Sequence, residues 1–352
     1  MEIKQLLRGM IEREASDLHL KAGHAPVLRI HGQLVPQADW PIPDEAALRE
    51  VLETLTNEAQ REAFARDLEL DFAYELGREA RFRVNVACQR GGLYLALRAI
   101  RCEVPTLAEL NLPQVCARLA MLPRGLVLVT GPAGCGKSTT LAAMIEHMNR
   151  TAARRVITIE DPIEYVFQDR RSVITQREVG VDTRTFAAAL KHALRQDPDV
   201  IMVGEMRDLE TIAATLTAAE TGHLVLATLH TPSAPEAVDR IVDVFPSHQQ
   251  VQVRTQLAMT LAGVIAQRLI PRADGSGRVA ACEVMTGTPA VRNLIREAKT
   301  PQMVSAMQTG REHGMQTLDQ ALRDLYRSQQ ITLDAALANA SNVKNFKRLL
   351  SG

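Results

Sequence analysis

The nine residues GPAGCGKST at 131–139 restrict this chain more than any other stretch, because they fit the pattern G-x-x-x-x-G-K-[ST] between a run that reads as a strand and one that reads as a helix. Gly131, Gly134 and Gly136 let the backbone take dihedrals that turn successive N–H groups inward, and a helix opening near Lys137 adds its positive dipole end. Such a loop holds phosphate. Lys137 is placed to bridge the β- and γ-phosphates of ATP, Ser138 to offer its hydroxyl to Mg²⁺, and Thr139 to contact phosphate beside it; Pro132, Ala133 and Cys135 fill the variable positions. The bland alternative is a glycine-rich turn that binds nothing. A chance match of this pattern arises roughly once per hundred chains of this length, and the strand-to-helix setting makes it rarer still.

The loop sits in a segment where short apolar strands alternate with helices: GLVLVT, a helix from 137, RVITIE, a helix around 184–195, DVIMVGE, a helix from 208, then HLVLATLH. This alternation predicts a largely parallel sheet covered by helices. Ahead of it, Ile3, Leu6, Leu7, Met10 and Ile11 recur at helical spacing. DLHLKAG and PVLRIHGQLV, a helix around 44–66, and the runs ARFRVNVACQR and GLYLALRAI follow, as in a small α+β domain. The expected organisation is an N-terminal domain over 1–100, a proline-bearing linker over 101–114, an ATPase core over 115–287 and a helical subdomain over 288–352. At 352 residues there is material for two cores.

Hydrolysis needs a carboxylate to orient or deprotonate the attacking water. VITIEDPIE delivers Glu160, Asp161 and Glu164 to the end of one strand, and DVIMVGE delivers Glu205 to the end of another, the edge at which open α/β sheets bind ligands. Glu164 is the candidate base and Glu205 a candidate for the magnesium's water shell; acidic loop caps are the plain alternative. His223 and His230 mark the two ends of TGHLVLATLH. An isolated histidine is more often a hydrogen-bonded structural residue than a catalyst.

Equal numbers of Lys plus Arg and Asp plus Glu, 41 each, leave no net field to attract nucleic acid, and few aromatics leave no stacking strip. A nucleic-acid translocase is thereby disfavoured. Five cysteines (Cys88, Cys102, Cys116, Cys135, Cys282) include no CxxC pair, which fits reduced thiols in the cytosol. The N-terminus does not read as a signal peptide, and no apolar run reaches the length of a membrane span.

Taken in order, the P-loop, IEDPIE, GEMRDLETI, TAAETGH and TLHT resemble the Walker A, Asp box, Walker B and His box of the secretion and pilus ATPases, and the resemblance extends from SDLHL at 16–20 through RFRVN at 81–85 to GMQTLDQAL at 314–322. It implies a PAS-like N-terminal domain, a RecA-like P-loop core and a homohexamer. It also implies nucleotide contacts from Glu160, His223 and His230, arginines at Arg83 and Arg98 that meet the phosphates, and a second pair at Arg195 and Arg207. For any one of these arginines alone, a surface ion pair is the plainer reading. TPAVRNLIREAK at 288–299 is similar to a segment of the family's pilus retraction motors, with Val291 in place of isoleucine. The implied activity is ATP-driven pilus retraction and twitching motility, with pilin disassembly; an accessory retraction ATPase has overlapping motifs. The implied partners are an inner-membrane platform protein and, indirectly, the pilin filament, with the motor cytoplasmic at the membrane's inner face.

Overall fold

A computed structural model describes every residue except Met1, His31, Arg78, Glu79, Arg101, Cys102 and Gly352, and at Ser351 the backbone only. The chain divides into two compact units, residues 1–103 and 104–352.

The first unit runs α1 (Ile3–Glu12), β1 (Asp17–Lys21), β2 (Val27–Ile30), β3 (Gln33–Pro36), α2 (Glu45–Leu55), α3 (Glu58–Asp67), β4 (Glu69–Leu76), β5 (Ala80–Gln89) and β6 (Gly92–Ile100). Its six strands form an antiparallel sheet in the order β3-β2-β1-β6-β5-β4, the PAS-like domain expected. Alternation sorts the two faces. Phe82, Val84, Val86, Leu93, Leu95 and Leu97 are buried in one core with Leu6, Leu7 and Met10 of α1 and Leu48 and Val51 of α2, while Arg83 and Arg98 point to the other face. The helix predicted over 44–66 is two helices. Thr56 is extended, and at Asn57 a capping box starts a second one: Asn57 Oδ1 accepts from the Gln60 N–H and Gln60 Oε1 from the Asn57 N–H, each at 2.9 Å.

The second unit runs α4 (Val115–Ala120), β7 (Gly125–Thr130), α5 (Lys137–Thr151), β8 (Arg155–Glu160), β9 (Val173–Glu178), α6 (Phe186–Ala193), β10 (Val200–Val203), α7 (Leu209–Glu220) and β11 (Leu224–Leu229). It continues with α8 (Ala234–Asp243), α9 (Gln250–Thr260), β12 (Leu261–Pro271), β13 (Arg278–Thr286), α10 (Pro289–Arg296), α11 (Met303–Thr309), α12 (Leu318–Arg327), α13 (Leu333–Asn339) and α14 (Val343–Ser351). The sheet order is β13-β12-β7-β11-β10-β8-β9, parallel except for the β12–β13 hairpin at one edge. The architecture is the RecA-like α/β core of the expectation, with β9, β12 and β13 added to the four strands read from the sequence. β7 is buried along its whole length and serves two cores. Leu126 and Leu128 pack with α6, α7 and α8 on one face, and Val127 and Val129 with α4 and α5 on the other.

Within the stretch read as a linker, Arg101 and Cys102 lie outside the described residues. Leu107 and Leu112 pack against the core of the second unit, and Asn111 Nδ2 donates to Gln330 Oε1 at 3.1 Å. The four described cysteines, Cys88, Cys116, Cys135 and Cys282, carry free thiols. Among the described residues no helix is long and apolar enough to cross a membrane.

Candidate functional site

Four neighbouring strands of the parallel sheet, β7, β11, β10 and β8, end at one edge, and each delivers a polar residue there. The 131–139 loop follows β7, His230 follows β11, Glu205 lies just past β10, and Glu160 is the last residue of β8. Gly131 has φ 140°, and a Cβ there would overlap the carbonyl oxygen of Gln267; Gly136, at φ 88°, is the N-cap of α5. Only glycine satisfies both the dihedral and the close approach at Gly131.

The charged groups form a chain. Lys137 Nζ donates to the carbonyls of Gly131 at 2.9 Å and Pro132 at 3.1 Å, and lies 3.4 Å from His230 Nδ1. His230 Nε2 lies 3.0 Å from Glu205 Oε1, which Arg207 Nε also approaches at 2.5 Å. An ammonium can only donate and a carboxylate only accept, so an imidazole carrying its proton on Nε2 satisfies both neighbours. The sequence places His230 near the phosphate loop; the structure shows that it joins the loop's lysine to the β10 carboxylate.

Glu160 is buried. Its Oε1 accepts from Thr158 Oγ1 at 2.6 Å and Gln176 Nε2 at 3.0 Å, and the carboxylate also accepts the backbone N–H of Glu164. Burial pushes its carboxyl up to about 6 in spite of those donors. Glu164 itself is exposed in the loop after β8. Glu178 supports the same loop by accepting the N–H of Ile163 at 3.2 Å.

Other candidates lie elsewhere. Thr139 Oγ1 is 3.0 Å from the hydroxyl of Tyr165, while Ser138 is half-buried in the first turn of α5. His223 precedes β11 and so stands at the opposite end of the strand from the loop, where its Nδ1 meets Ala218 O at 3.1 Å and Thr221 Oγ1 at 3.2 Å. Arg195 is exposed after α6, on the approach to the start of β10, at that same far edge. The structure therefore gathers Lys137, His230, Glu205 and Arg207, and does not bring His223 or Arg195 to them within one chain. On the first unit, Arg83 and Arg98 are cross-strand partners. Each is balanced by a carboxylate, Arg98 Nε donating to Asp17 Oδ1 at 2.7 Å and Arg83 Nε lying 3.8 Å from Asp71.

Three side chains that hold this site were not among the candidates: Gln267, Gln176 and Tyr165. Gln267 left one signal, a carboxamide at the end of the apolar run LAGVIA. Tyr165 left a weaker one, an aromatic directly after the acidic strand tip in a chain with few aromatics.

No cluster of three or more His, Cys, Asp or Glu suited to a metal occurs among the described residues. The donors at hand, the Ser138 hydroxyl and the Glu205 carboxylate, are hard oxygens, and so few of them suit Mg²⁺, which keeps water and phosphate oxygens in its shell.

The family model for type II/IV secretion system proteins matches residues 1–347. The type IV pilus retraction ATPase PilT of Pseudomonas aeruginosa is 49% identical over 346 residues, 98% of this chain and 100% of PilT. The type IV pilus ATPase PilU of the same organism is 43% identical over 350 residues, 99% of this chain and 91% of PilU. A crystal structure of the pilus retraction motor PilT with bound ADP matches with a TM-score of 0.93 at 45% identity, covering 99% of each chain. With its phosphate loop, acidic strand tips and His230 set out in a fold shared along nearly the whole chain, the protein belongs to the type II/IV secretion system protein family.

Proposed function

We propose that the protein is an ATP-hydrolysing motor that powers retraction of type IV pili and, through it, twitching motility. The observation that carries this reading is the chain Lys137–His230–Glu205–Arg207 across adjacent strand ends, in which a group able to grip the terminal phosphate is wired to a carboxylate. Likeness to PilT above that to PilU favours the retraction motor over an accessory one.

Backbone N–H groups of 131–139 and the Lys137 ammonium hold the triphosphate, and Lys137 exchanges its loop carbonyls for phosphate oxygens. Ser138 and Glu205 would hold magnesium on the protein side, and the bound ion would supply positive charge to offset that of the phosphates. Glu164 accepts the proton of the attacking water, on a loop whose backbone the buried Glu160 secures. His230 relates the state of the terminal phosphate to Glu205, and Arg207 moves with that carboxylate. In the homohexamer that the family resemblance implies, Arg83 and Arg98 of one copy are the charges proposed to meet the phosphates of the next. His223 and Arg195 belong to the same proposal, since neither reaches the loop of its own chain.

The recipient of the force is proposed to be the inner-membrane platform of the pilus, from which pilin subunits are withdrawn, with the motor in the cytoplasm at the membrane face. The α10 segment supports this reading: Val291 and Ile295 are buried, while Asn293, Arg296 and Glu297 remain on the outside, linked to one another. The test is ATP turnover by purified wild type against Lys137→Ala and Glu164→Gln. Each substitution is expected to lower kcat by about 100-fold or more. Three samples indistinguishable from a no-enzyme blank would end the motor reading. Deletion in the host is expected to abolish twitching and leave surplus surface pili.

A further inference from the structure

One buried side chain fastens the phosphate loop from behind. Gln267 lies on β12 and is 2% exposed, on the strand face that also carries Ile265 and is flanked by Cys282 and Val284 of β13. Its carboxamide spans the start of α5: Nε2 donates to the carbonyl of Cys135 at 2.5 Å, and Oε1 accepts from Thr140 Oγ1 at 2.8 Å. The Cys135 carbonyl can only accept, which fixes which end of the amide faces it. The same residue approaches the loop twice more, its backbone carbonyl against Gly131 and its Nε2 at 3.1 Å from where a Cβ on Gly136 would lie.

A trans peptide is planar, so its C=O and N–H point in opposite directions. Drawing the Cys135 carbonyl toward β12 therefore turns the Gly136 N–H away from β12. We propose that Gln267 is a positioning residue of the nucleotide site, which presets the Cys135–Gly136 peptide so that the Gly136 N–H faces phosphate before ATP arrives. This rests on the ATPase reading. A loop with that peptide unfastened must spend binding energy to turn it, and this weakens the nucleotide complex without altering the reacting atoms.

The experiment compares wild type with Gln267→Glu, Gln267→Leu, Thr140→Val and Thr140→Ser, measuring ATP affinity by titration, KM, kcat, and melting temperature without nucleotide. Gln267→Glu keeps the shape and, assayed at alkaline pH where the carboxylate is ionised, sets an acceptor oxygen against the Cys135 carbonyl. It is expected to raise Kd and KM about tenfold, the size of one hydrogen bond to a charged group, with kcat within about threefold. Thr140→Val is expected to show a smaller rise, Thr140→Ser none, and the Gln267→Leu/Thr140→Val pair no more than Gln267→Leu alone. Should Gln267→Leu fail to fold, Gln267→Glu and the two Thr140 variants give the same readout. ATP affinity within twofold of wild type in Gln267→Glu would overturn the proposal, as would a loss matched by a falling melting temperature and kcat. Absence of ATP binding by wild type itself would instead overturn the ATPase reading.

Discussion

The two ends of the parallel sheet in the second unit carry similar residue types in opposite circumstances. Where the strands end, His230, Glu205 and Arg207 meet side chain to side chain, and Lys137 reaches His230 while also donating to the Gly131 and Pro132 carbonyls. Where the strands begin, polar groups are used up on backbone: Asp199 Oδ2 accepts the Arg155 N–H at 2.7 Å, and His223 meets the Ala218 carbonyl while its own carbonyl accepts the Gly125 N–H at 3.0 Å. Contacts of the first kind can be exchanged for a ligand, because each partner keeps its capacity for another ion or hydrogen bond. Contacts of the second kind hold the chain's path, and losing one leaves a backbone group without its protein partner. Strand ends face the helix N-termini that follow them, which explains why the exchangeable edge is also the one suited to phosphate.

The largest effect that could break this contrast is expected at Glu205. Glu205→Gln removes the charge that holds both His230 and Arg207, and kcat is expected to fall by about 100-fold or more in steady-state turnover. A loss under tenfold would mean the edge is assembled but not used. Next in size is the pair of histidines: His230→Ala is expected to cost about tenfold or more in turnover, and His223→Ala to cost less in the same assay, since its ring is engaged with Ala218 and Thr221 at the far edge of its own chain. Equal losses would erase the distinction between the two ends and point to a second copy delivering the far edge.

The smallest effect concerns stability. Glu160 holds its proton more tightly when folded, its carboxyl standing near 6 against an ordinary 4.5, so the folded state binds more protons between those values. Stability from this group is present at low pH and is lost as pH rises through about 6, by on the order of 2 kcal/mol. Glu160→Gln keeps acceptors for Thr158 and Gln176 and should remove that slope. Denaturant midpoints taken from pH 4.5 to 7 check it, and parallel slopes in both proteins would show that Glu160 is solvated as an ordinary carboxylate.

Legibility differed from element to element for physical reasons. GLVLVT and HLVLATLH were plain in the sequence because a strand buried on both faces must be apolar throughout. β9 was not, since VITQRE is half-exposed and its Gln176 serves Glu160 rather than solvent. The helix over 44–66 looked continuous because its apolar spacing barely shifts, whereas the break depends on a reciprocal cap at Asn57. At the site, the glycine loop was legible because close backbone approach demands a particular residue type. The contributions of Gln267 and Tyr165 were not, because a glutamine or tyrosine becomes specific only through its partner across the fold.

By itself the sequence determined that a triphosphate-binding loop joins a buried strand to a helix, and that carboxylates and a histidine stand at strand ends, since local backbone geometry and burial constrain those residue types directly. Only the tertiary structure decided which ends are neighbours. Strand order brings β11 and β10 between β7 and β8, setting His230 between Lys137 and Glu205 and leaving His223 and Arg195 at the far edge. Side-chain partnerships across distant segments depend on strand order and register, which hydrophobic pattern along the chain leaves open.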